Sequence, residues 1–239
     1  MLQHLSQFDI ADRAGILSTW PIDRGPGVIV VVPTSPAATA GFRAGDIVLA
    51  IDGMAIPPEN DLVRPFEAAG SRLRADAVLD LLQTAQSVTL LRDGTPHVAR
   101  LKPVPACPSR VHLARSKQRN AFADGRHIFL TTGVLAQLRN DDEVAFLIAH
   151  EMAHNILGHA AVMRSGEIGG RQGVRQIESA ADRLGGTLML DAGFDPVKGA
   201  ALLKRLDGSG FGISLFANHE PAAKRIAALQ ALVAEHRAP

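Results

Sequence analysis

The 239-residue chain has one cysteine, one tryptophan, no tyrosine and no long apolar segment. A single cysteine, Cys107, excludes an internal disulfide and a cysteine-built zinc site. The longest unbroken apolar runs, Val28–Val32 and Val144–Ala149, are much shorter than the ~20 residues that a membrane-spanning helix needs. The first 24 residues also lack the apolar core of a signal peptide. We therefore expect no transmembrane segment in this chain.

Charge of either sign is in no excess, because 25 Lys and Arg residues stand against 24 Asp and Glu residues. A nucleic-acid-binding protein normally shows a basic surplus, so we expect no nucleic-acid partner. Hydrophobic residues make up 46% of the chain and charged residues 21%, which is typical of a protein with a buried core. The length allows one large domain or two smaller domains.

Three prolines within six residues, Pro103, Pro105 and Pro108, mark a boundary near the middle of the chain. Proline fixes φ and lacks a backbone donor, so this stretch is typical of a linker. We therefore predict two domains, 1–102 and 103–239. Before the linker, β-branched runs and an Asp-Gly pair predict strands and a hairpin. After it, apolar periodicity predicts helices, one of them over Asp141–Met163, together with a small β-hairpin over 111–130. The expected fold class is α+β.

The segment VAFLIAHEMAHNILGH contains His150 and His154, with Glu151 beside the first histidine. On a helix, residues four apart lie on the same face, so the two imidazoles can bind one metal ion. Glu151 is rotated by ~100° from His150 and can act as the general base on a zinc-activated water molecule. The HExxH pattern also occurs by chance on solvated helix faces. Here the apolar flanks predict a largely buried helix, which favours a metal site because unpartnered buried polar groups are costly.

A catalytic zinc ion needs three protein ligands and one open position. Ala160 occupies the third-histidine position of a metzincin, so that class is disfavoured, and we expect His159 to hydrogen-bond within the helices instead. The better candidate is Glu178 in the segment ESAAD, 24 residues beyond His154, which leaves room for a second helix to return. Asp182, one turn later, can accept from the free N–H of a zinc-binding histidine. The alternative is an exposed acidic pair.

Taken in order, the segments NAFADG, IFLTTG, HEMAHNILGH and ESAAD resemble the HtpX/BepA/Oma-like zinc metallopeptidases of peptidase family M48. The resemblance covers about 110–229. It implies a zincin-type fold of the gluzincin class, with one Zn²⁺ per chain bound by His150, His154 and Glu178, and with Glu151 as catalytic base. It also implies that one strand borders the cleft, where an extended substrate adds as a further strand. That strand carries Asn120, Ala121, Phe122 and Ala123.

Near the C-terminus, the segment NHEP followed by KRI resembles the family's T-H-P…E-R-I segment. The resemblance implies that His219 faces the zinc, as an oxyanion donor or a displaceable fourth ligand, and that Arg225 helps to order the site. This copy departs from the pattern at Asn218, Glu220 and Lys224. A histidine just before a helix is also commonly a cap or a surface residue, so two interpretations of His219 remain.

In the N-terminal half, residues 27–53 (GVIVVVPTSPAATAGFRAGDIVLAIDG) resemble the PDZ domains attached to bacterial proteases. Such a domain is a small β-barrel or sandwich in which a peptide C-terminus pairs with an exposed strand while backbone N–H groups bind its carboxylate. By analogy, we expect the carboxylate-binding loop at 13–16, where Gly15 and Ile16 would bind the peptide, the groove strand at 16–20 and a helix over 76–83 as the opposite wall. A PDZ domain with a blocked groove is the alternative.

These patterns favour a zinc-dependent endopeptidase acting on polypeptides, such as misfolded or envelope proteins, with a PDZ domain for recruitment or regulation. One alternative is a latent or chaperone-like protein that acts by binding, with its metal structural or blocked by His219. Another is a scaffold that uses only the PDZ groove. The resemblance suggests the bacterial cell envelope or periplasm as the location, with the cytoplasm as the alternative.

Overall fold

The computed structural model describes residues 2–56, 77–106, 109–166, 170–206 and 220–237. The chain divides into two compact units, 1–106 and 107–239. The first unit is built on a sheet, whereas the second is mainly helical. The expected mixed α+β class is therefore confirmed at this level.

The first unit is built on an antiparallel sheet. Its strands are β1 (Leu2–Gln3), β2 (Gly27–Val28), β3 (Ile47–Ile51), β4 (Met54–Ala55), β5 (Ser87–Arg92) and β6 (Thr95–Arg100). Their spatial order is β1-β2-β3-β5-β6, and β4 pairs with β3. The helices of this unit are α1 (Ile10–Thr19), α2 (Pro36–Thr39) and α3, the helical residues 77–82. Strands β5 and β6 are joined through Asp93 and Gly94, with φ of 49° and 76°, which is the hairpin that the Asp-Gly pair predicts.

A buried carboxylate ties the loop before β3 to the end of β5. Asp46 is 1% exposed and accepts a hydrogen bond from the backbone N–H of Arg43 at 2.8 Å. The Arg92 guanidinium binds both oxygens of Asp46, with each N–O distance 2.7 Å. The apolar core of this unit includes Val28, Val48, Ile51, Val88 and Leu90.

Gly15 and Ile16 lie inside helix α1, so the prediction of a carboxylate-binding loop and groove strand there is wrong. The carbonyl of Ile16 accepts from the N–H of Trp20, and the carbonyl of Gly15 accepts from the Ser18 hydroxyl. A helix interior uses its N–H groups internally and leaves none to bind a carboxylate. The prediction failed because a short apolar segment fits a helix or a strand equally well. The expected opposite wall is helical over 77–82, and Asp76 lies outside the described residues.

The second unit begins with a three-stranded sheet in the order β7-β9-β8. Its strands are β7 (Arg110–Ala114), β8 (Ala121–Ala123) and β9 (His127–Thr131). Strands β8 and β9 are antiparallel across a turn at 124–126, as expected. Strand β7, however, runs parallel to β9, so the segment 111–130 is not one hairpin. Parallel pairing depends on a crossover through β8 that local sequence does not reveal.

Seven helices of the described part of this unit follow the sheet. They are α4 (Thr132–Leu135), α5 (Asp141–Ile156), α6 (His159–Ser165), α7 (Gly170–Asp191), α8 (Pro196–Gly199), α9 (Ala201–Leu206) and α10 (Ala222–Arg237). Helix α5 is shorter than predicted because Gly158, at φ 68°, turns the chain and a new helix begins at His159. None of the described helices is long and apolar enough to span a bilayer.

Helices α5 and α7 approach closely at a glycine. A Cβ atom on Gly185 would lie 3.1 Å from the backbone of Ala149 and His150, so only glycine allows this separation without adjustment. The surrounding core contains Phe146, Leu147, Met189, Leu202 and Leu229. This packing holds the middle of α5 against α7, and the candidate site lies there.

Candidate metal centre

The two histidines of α5 and one glutamate of α7 meet at one point. The Nε2 atoms of His150 and His154 are 3.1 Å apart. Glu178 Oε2 lies 3.2 Å from Nε2 of His150 and 3.6 Å from Nε2 of His154. The structure therefore brings together the three residues that the sequence analysis proposed as ligands, and among the described residues they form a group able to hold a metal ion.

The spacing of these atoms suits zinc. A tetrahedral zinc ion with bonds of about 2.1 Å separates its ligand atoms by about 3.4 Å. The observed separations of 3.1, 3.2 and 3.6 Å bracket that value. Two imidazole nitrogens and a carboxylate oxygen are also a donor set that zinc enzymes use. The residues present therefore fit a zinc ion.

Glu151 lies beside the ligands and is only 2% exposed. Its Oε1 atom is buried and has no hydrogen-bond partner within the described part of the chain. Burial raises the pKa of Glu151, although His150 and His154 oppose this effect. A buried carboxylate with an unused acceptor atom and a raised pKa is suited to taking up a proton from a bound molecule.

Two residues of neighbouring helices orient the His150 ring through its second nitrogen, Nδ1. Its Nδ1 atom is 3.1 Å from Oδ1 of Asp182, on α7. Arg225, on α10, donates from Nε and Nη2 to the two oxygens of Asp182 at 2.6 Å. Burial alone would raise the pKa of Asp182, but the hydrogen bonds from Arg225 and His150 outweigh it and hold the pKa at about 2. The carboxylate therefore stays ionised.

The two carboxylates also favour the charged form of His150 when no metal is bound. Burial would lower the pKa of His150, but hydrogen bonds to Asp182 and Glu178 raise it to about 10. Burial alone would raise the pKa of Glu178, but hydrogen bonds from His150 and His154 hold it well below its usual range. A metal ion entering the site would therefore replace a proton on His150.

His154 has a different partner at its second nitrogen. Nδ1 of His154 lies 2.9 Å from Nδ1 of His159, and the two rings meet edge to face with centroids 4.9 Å apart. His159 is 9% exposed, and burial lowers its pKa, with the charge of His154 as the next cause. The expected hydrogen bond of His159 within the helices is confirmed, although the sequence did not identify His154 as its partner. A usable signal was Gly158, because a glycine directly after a helix commonly reverses the chain.

Strand β8 borders the site and is an edge strand of its sheet within the described part of the chain. On either side of it, the carbonyl of Asn120 and the N–H of Asp124 bond to β9. The alternate residues Ala121 and Ala123 therefore direct their backbone groups away from β9. The backbone of Ala123 hydrogen-bonds to Glu151, which connects this edge to the candidate base. Phe122 lies between the two alanines and stacks on Phe129, with centroids 4.8 Å apart.

Of the other predicted site residues, two lie in the first unit and one lies outside the described residues. Gly15 and Ile16 belong to helix α1 of the first unit. His219 lies outside the described residues, so its predicted place at the zinc stays a prediction. Arg225, by contrast, is buried and reaches the site through Asp182.

Comparison with known proteins gives two family matches. Residues 90–174 match Peptidase family M48, and residues 27–92 match a PDZ domain. The M48 match includes His150, Glu151 and His154 but ends before Glu178.

Two curated relatives are similar over part of their length. The mitochondrial metalloendopeptidase OMA1 of Schizosaccharomyces pombe is 26% identical in an alignment of 148 positions that covers 48% of this chain and 44% of that protein. The magnetosome formation protease MamE of Paramagnetospirillum magneticum is 34% identical over 73 residues, which are 30% of this chain and 10% of that protein. The chain thus spans less than half the length of either relative. Together with the metal centre, the two family matches confirm the resemblance: residues 27–92 are similar to a PDZ domain, and residues 90–174 are similar to peptidase family M48.

Proposed function

We propose that this protein is a zinc-dependent endopeptidase that hydrolyses peptide bonds of polypeptide substrates. The observation that carries the proposal is the triangle formed by Nε2 of His150, Nε2 of His154 and Oε2 of Glu178, whose sides of 3.1, 3.2 and 3.6 Å match tetrahedral zinc. The family match and a metalloendopeptidase among the relatives support the same conclusion.

The chain supplies a base beside these ligands. A zinc ion held there supplies Lewis-acid chemistry, since it acidifies a water molecule and polarises a peptide carbonyl. Glu151 accepts the proton of the attacking water at its unpartnered Oε1 atom. Because burial raises its pKa, Glu151 can then pass that proton to the leaving amine. Asp182 and Arg225 keep the His150 ring in place during these steps.

Strand β8 provides a place for the substrate main chain. The outward N–H and C=O groups of Ala121 and the C=O group of Ala123 can pair with an extended peptide, as an exposed strand edge does in β-augmentation, while the N–H of Ala123 donates to Glu151. The hydrogen bond between Ala123 and Glu151 means that a peptide paired here runs past the catalytic base. Such recognition depends on main-chain bonds, so it suits unfolded polypeptides of varied sequence. A second role for His219, as an oxyanion donor or a blocking ligand, stays part of this proposal.

The PDZ domain would recruit or regulate, in keeping with its family match over 27–92. Its peptide-binding groove is not at Gly15 and Ile16, which are helical. We propose polypeptides as partners, and a C-terminal peptide as the ligand of this domain. A location in the bacterial cell envelope is the accompanying proposal, and it rests on the resemblance to envelope proteases of the family.

The decisive experiment compares the zinc-loaded native protein with Glu151→Gln on an unfolded protein such as reduced casein. We expect the variant to bind one zinc per chain but to cleave at least about 100-fold more slowly, because only the proton acceptor is lost. Zinc content is measured by elemental analysis, and cleavage by mass spectrometry of the products.

A matched control is Glu235→Gln, which alters an exposed glutamate that pairs with Arg183 on the protein surface. This variant should cleave at the native rate. Equal cleavage by the native protein and Glu151→Gln would remove Glu151 from the mechanism. Absence of cleavage in both, with zinc bound, would instead favour the latent or binding protein, and a rise in activity on replacing His219 would then identify the block.

A further inference from the structure

The two histidines of the metal centre are held by different chemistry at their second nitrogen. His150 Nδ1 faces the carboxylate of Asp182 at 3.1 Å. His154 Nδ1 faces another imidazole, that of His159, at 2.9 Å. Both contacts have the geometry of a hydrogen bond; the first is buried and the second is partly buried. Each of the two zinc-binding histidines therefore has its own orienting group, and His159, the group next to His154, has no role in the mechanism proposed above.

The direction of the His154–His159 bond follows from zinc binding. His154 presents Nε2 to the ligand triangle, so that atom must carry a lone pair and no proton. In the neutral ring the proton then lies on Nδ1, which donates to the partner. His159 must accept with its own Nδ1 and carry its proton on Nε2. One arrangement of protons therefore satisfies both rings and the metal.

The chain reaches this contact through a break between two helices. Helix α5 ends at Ile156, and Gly158 adopts a left-handed conformation with φ 68°. The next residue, His159, opens helix α6 and directs its ring back to His154. A continuous helix would rotate residue 159 by ~500° from residue 154, which is ~140° away from the same face. The turn at Gly158 is thus what makes the pair possible.

We propose that His159 is a positioning residue of the zinc site: its Nδ1 atom accepts the proton of His154 Nδ1 and holds that ring in the tautomer and orientation that leave Nε2 free for the metal. This assignment rests on the proposed zinc site and adds to it a residue outside the three ligands. An orienting partner of this kind raises the affinity of a metal-binding histidine, and its loss typically costs 10–100-fold in affinity.

The test uses two substitutions of different chemistry in the full-length protein. His159→Asn places an oxygen acceptor close to the original Nδ1 position, whereas His159→Leu fills similar space without an acceptor. Zinc affinity is measured by competition with a chromogenic chelator of known affinity. We expect the leucine variant to bind zinc 10–100-fold more weakly and the asparagine variant to stay within about threefold of the native protein.

Two further measurements separate positioning from a structural role. Thermal unfolding of the metal-free variants shows whether leucine merely weakens the fold, and we expect a similar midpoint to that of the asparagine variant. In ¹⁵N-labelled zinc-loaded protein, the Nδ1–H proton of His154 should give a slowly exchanging NMR signal that the leucine variant loses and the asparagine variant keeps. As a control, His97→Leu changes an exposed histidine of β6 and should leave the affinity unchanged.

The outcomes distinguish this inference from the function that it extends. Native-like zinc affinity in His159→Leu would overturn the role of His159 and leave the zinc peptidase intact. Equal losses in the leucine and asparagine variants would also overturn it, because a retained acceptor would then not matter. Failure of the native protein itself to bind zinc would overturn both proposals.

Discussion

At the scale of single residues, the contact between Asp182 and Arg225 is the best-defined charge pair of the site. Both side chains are buried, and the guanidinium binds the two carboxylate oxygens at 2.6 Å. Removing one member of such a pair leaves an uncompensated buried charge, which is strongly unfavourable. Because Asp182 also accepts from His150, the pair links the fold to the metal centre.

We predict that Arg225→Lys weakens zinc binding although it preserves the charge. A lysine ammonium cannot make the two parallel bonds of the guanidinium, so Asp182 would lose its fixed orientation and His150 with it. The expected loss in zinc affinity is at least about 10-fold, measured by chelator competition. Arg183→Lys, an exposed arginine on the same helix as Asp182, is the matched control. Unchanged affinity in Arg225→Lys would show that the two-point contact does not orient the ligand.

At the scale of elements, a buried ion pair connects the first turn of α5 to α9. Glu143 is 1% exposed and accepts from the Arg205 guanidinium at 2.8 and 2.6 Å, and from the backbone N–H of Arg139 at 2.8 Å. Burial alone would raise the pKa of Glu143, but these bonds outweigh it and the pKa lies below its usual value. The ionised form therefore stabilises the folded protein.

This contact predicts how stability depends on pH. Since the pKa of Glu143 is lower in the folded than in the unfolded chain, its contribution is complete above about pH 4.5. It is lost as the pH falls from there through the folded pKa. In Glu143→Gln the free energy of unfolding should be lower by about 1.5–3 kcal/mol at pH 7. Urea unfolding from pH 3 to 7 measures both effects, and an equally steep acid decline in the variant would contradict the assignment.

Two helical glycines in opposite surroundings give a second prediction at this scale. A Cβ atom on Gly15, in α1, would meet nothing within 4 Å. A Cβ atom on Gly199, in α8, would lie 2.5 Å from the carbonyl oxygen of Asp142. We expect Gly15→Ala to stabilise the protein by up to about 1 kcal/mol, because alanine favours the helix.

Gly199→Ala should instead destabilise by about 1–3 kcal/mol, because α8 must move away from α5. Both effects are measured as shifts in the midpoint of thermal unfolding. A destabilising Gly15→Ala would mean that this residue is not in a helix, and would reopen its predicted role in peptide binding.

At the scale of the whole molecule, the chain has two compact units with separate cores, and the proposed metal ligands lie in the second. A ligand that binds only the folded state stabilises the part that binds it. We therefore predict that removing zinc with a chelator lowers the unfolding temperature of residues 107–239 and leaves that of residues 1–106 unchanged.

Calorimetry of the full chain with and without zinc measures this effect, and hydrogen exchange assigns each transition to its unit. At a free zinc concentration 100 times the dissociation constant, the expected stabilisation is about 2.7 kcal/mol. Glu178→Ala, which removes one ligand, should respond much less to zinc. A single transition that shifts as a whole would show that the two units unfold together.

The parts of the site that sequence predicted are those that local geometry governs. His150, Glu151 and His154 share one turn and a half of helix, so the helical period alone places them together. Glu178 and Asp182 share another turn, and the separation of 24 residues from His154 left room for the chain to return. The hairpin at Asp93-Gly94 could likewise be predicted, because its turn depends only on the conformations of these two residues.

The errors fall where distant contacts choose between local alternatives. Segment 16–20 could form a strand or part of a helix, and residues 16–19 are helical. Strand β7 lies parallel to β9 although a simple hairpin was available. His159 reaches His154 only because the helix stops at Gly158.

By itself, the sequence determined the chemistry of this protein: which residue types can bind zinc, at which spacing, and beside which base. Only the tertiary structure decided how that chemistry is held, namely that Arg225 supports Asp182 and that His159 supports His154. The physical reason is the distance along the chain over which each effect acts. Backbone dihedrals and helical period act over a few residues and can be recognised in the sequence, whereas the packing of α7 against α5 and of α10 against α7 depends on the whole core.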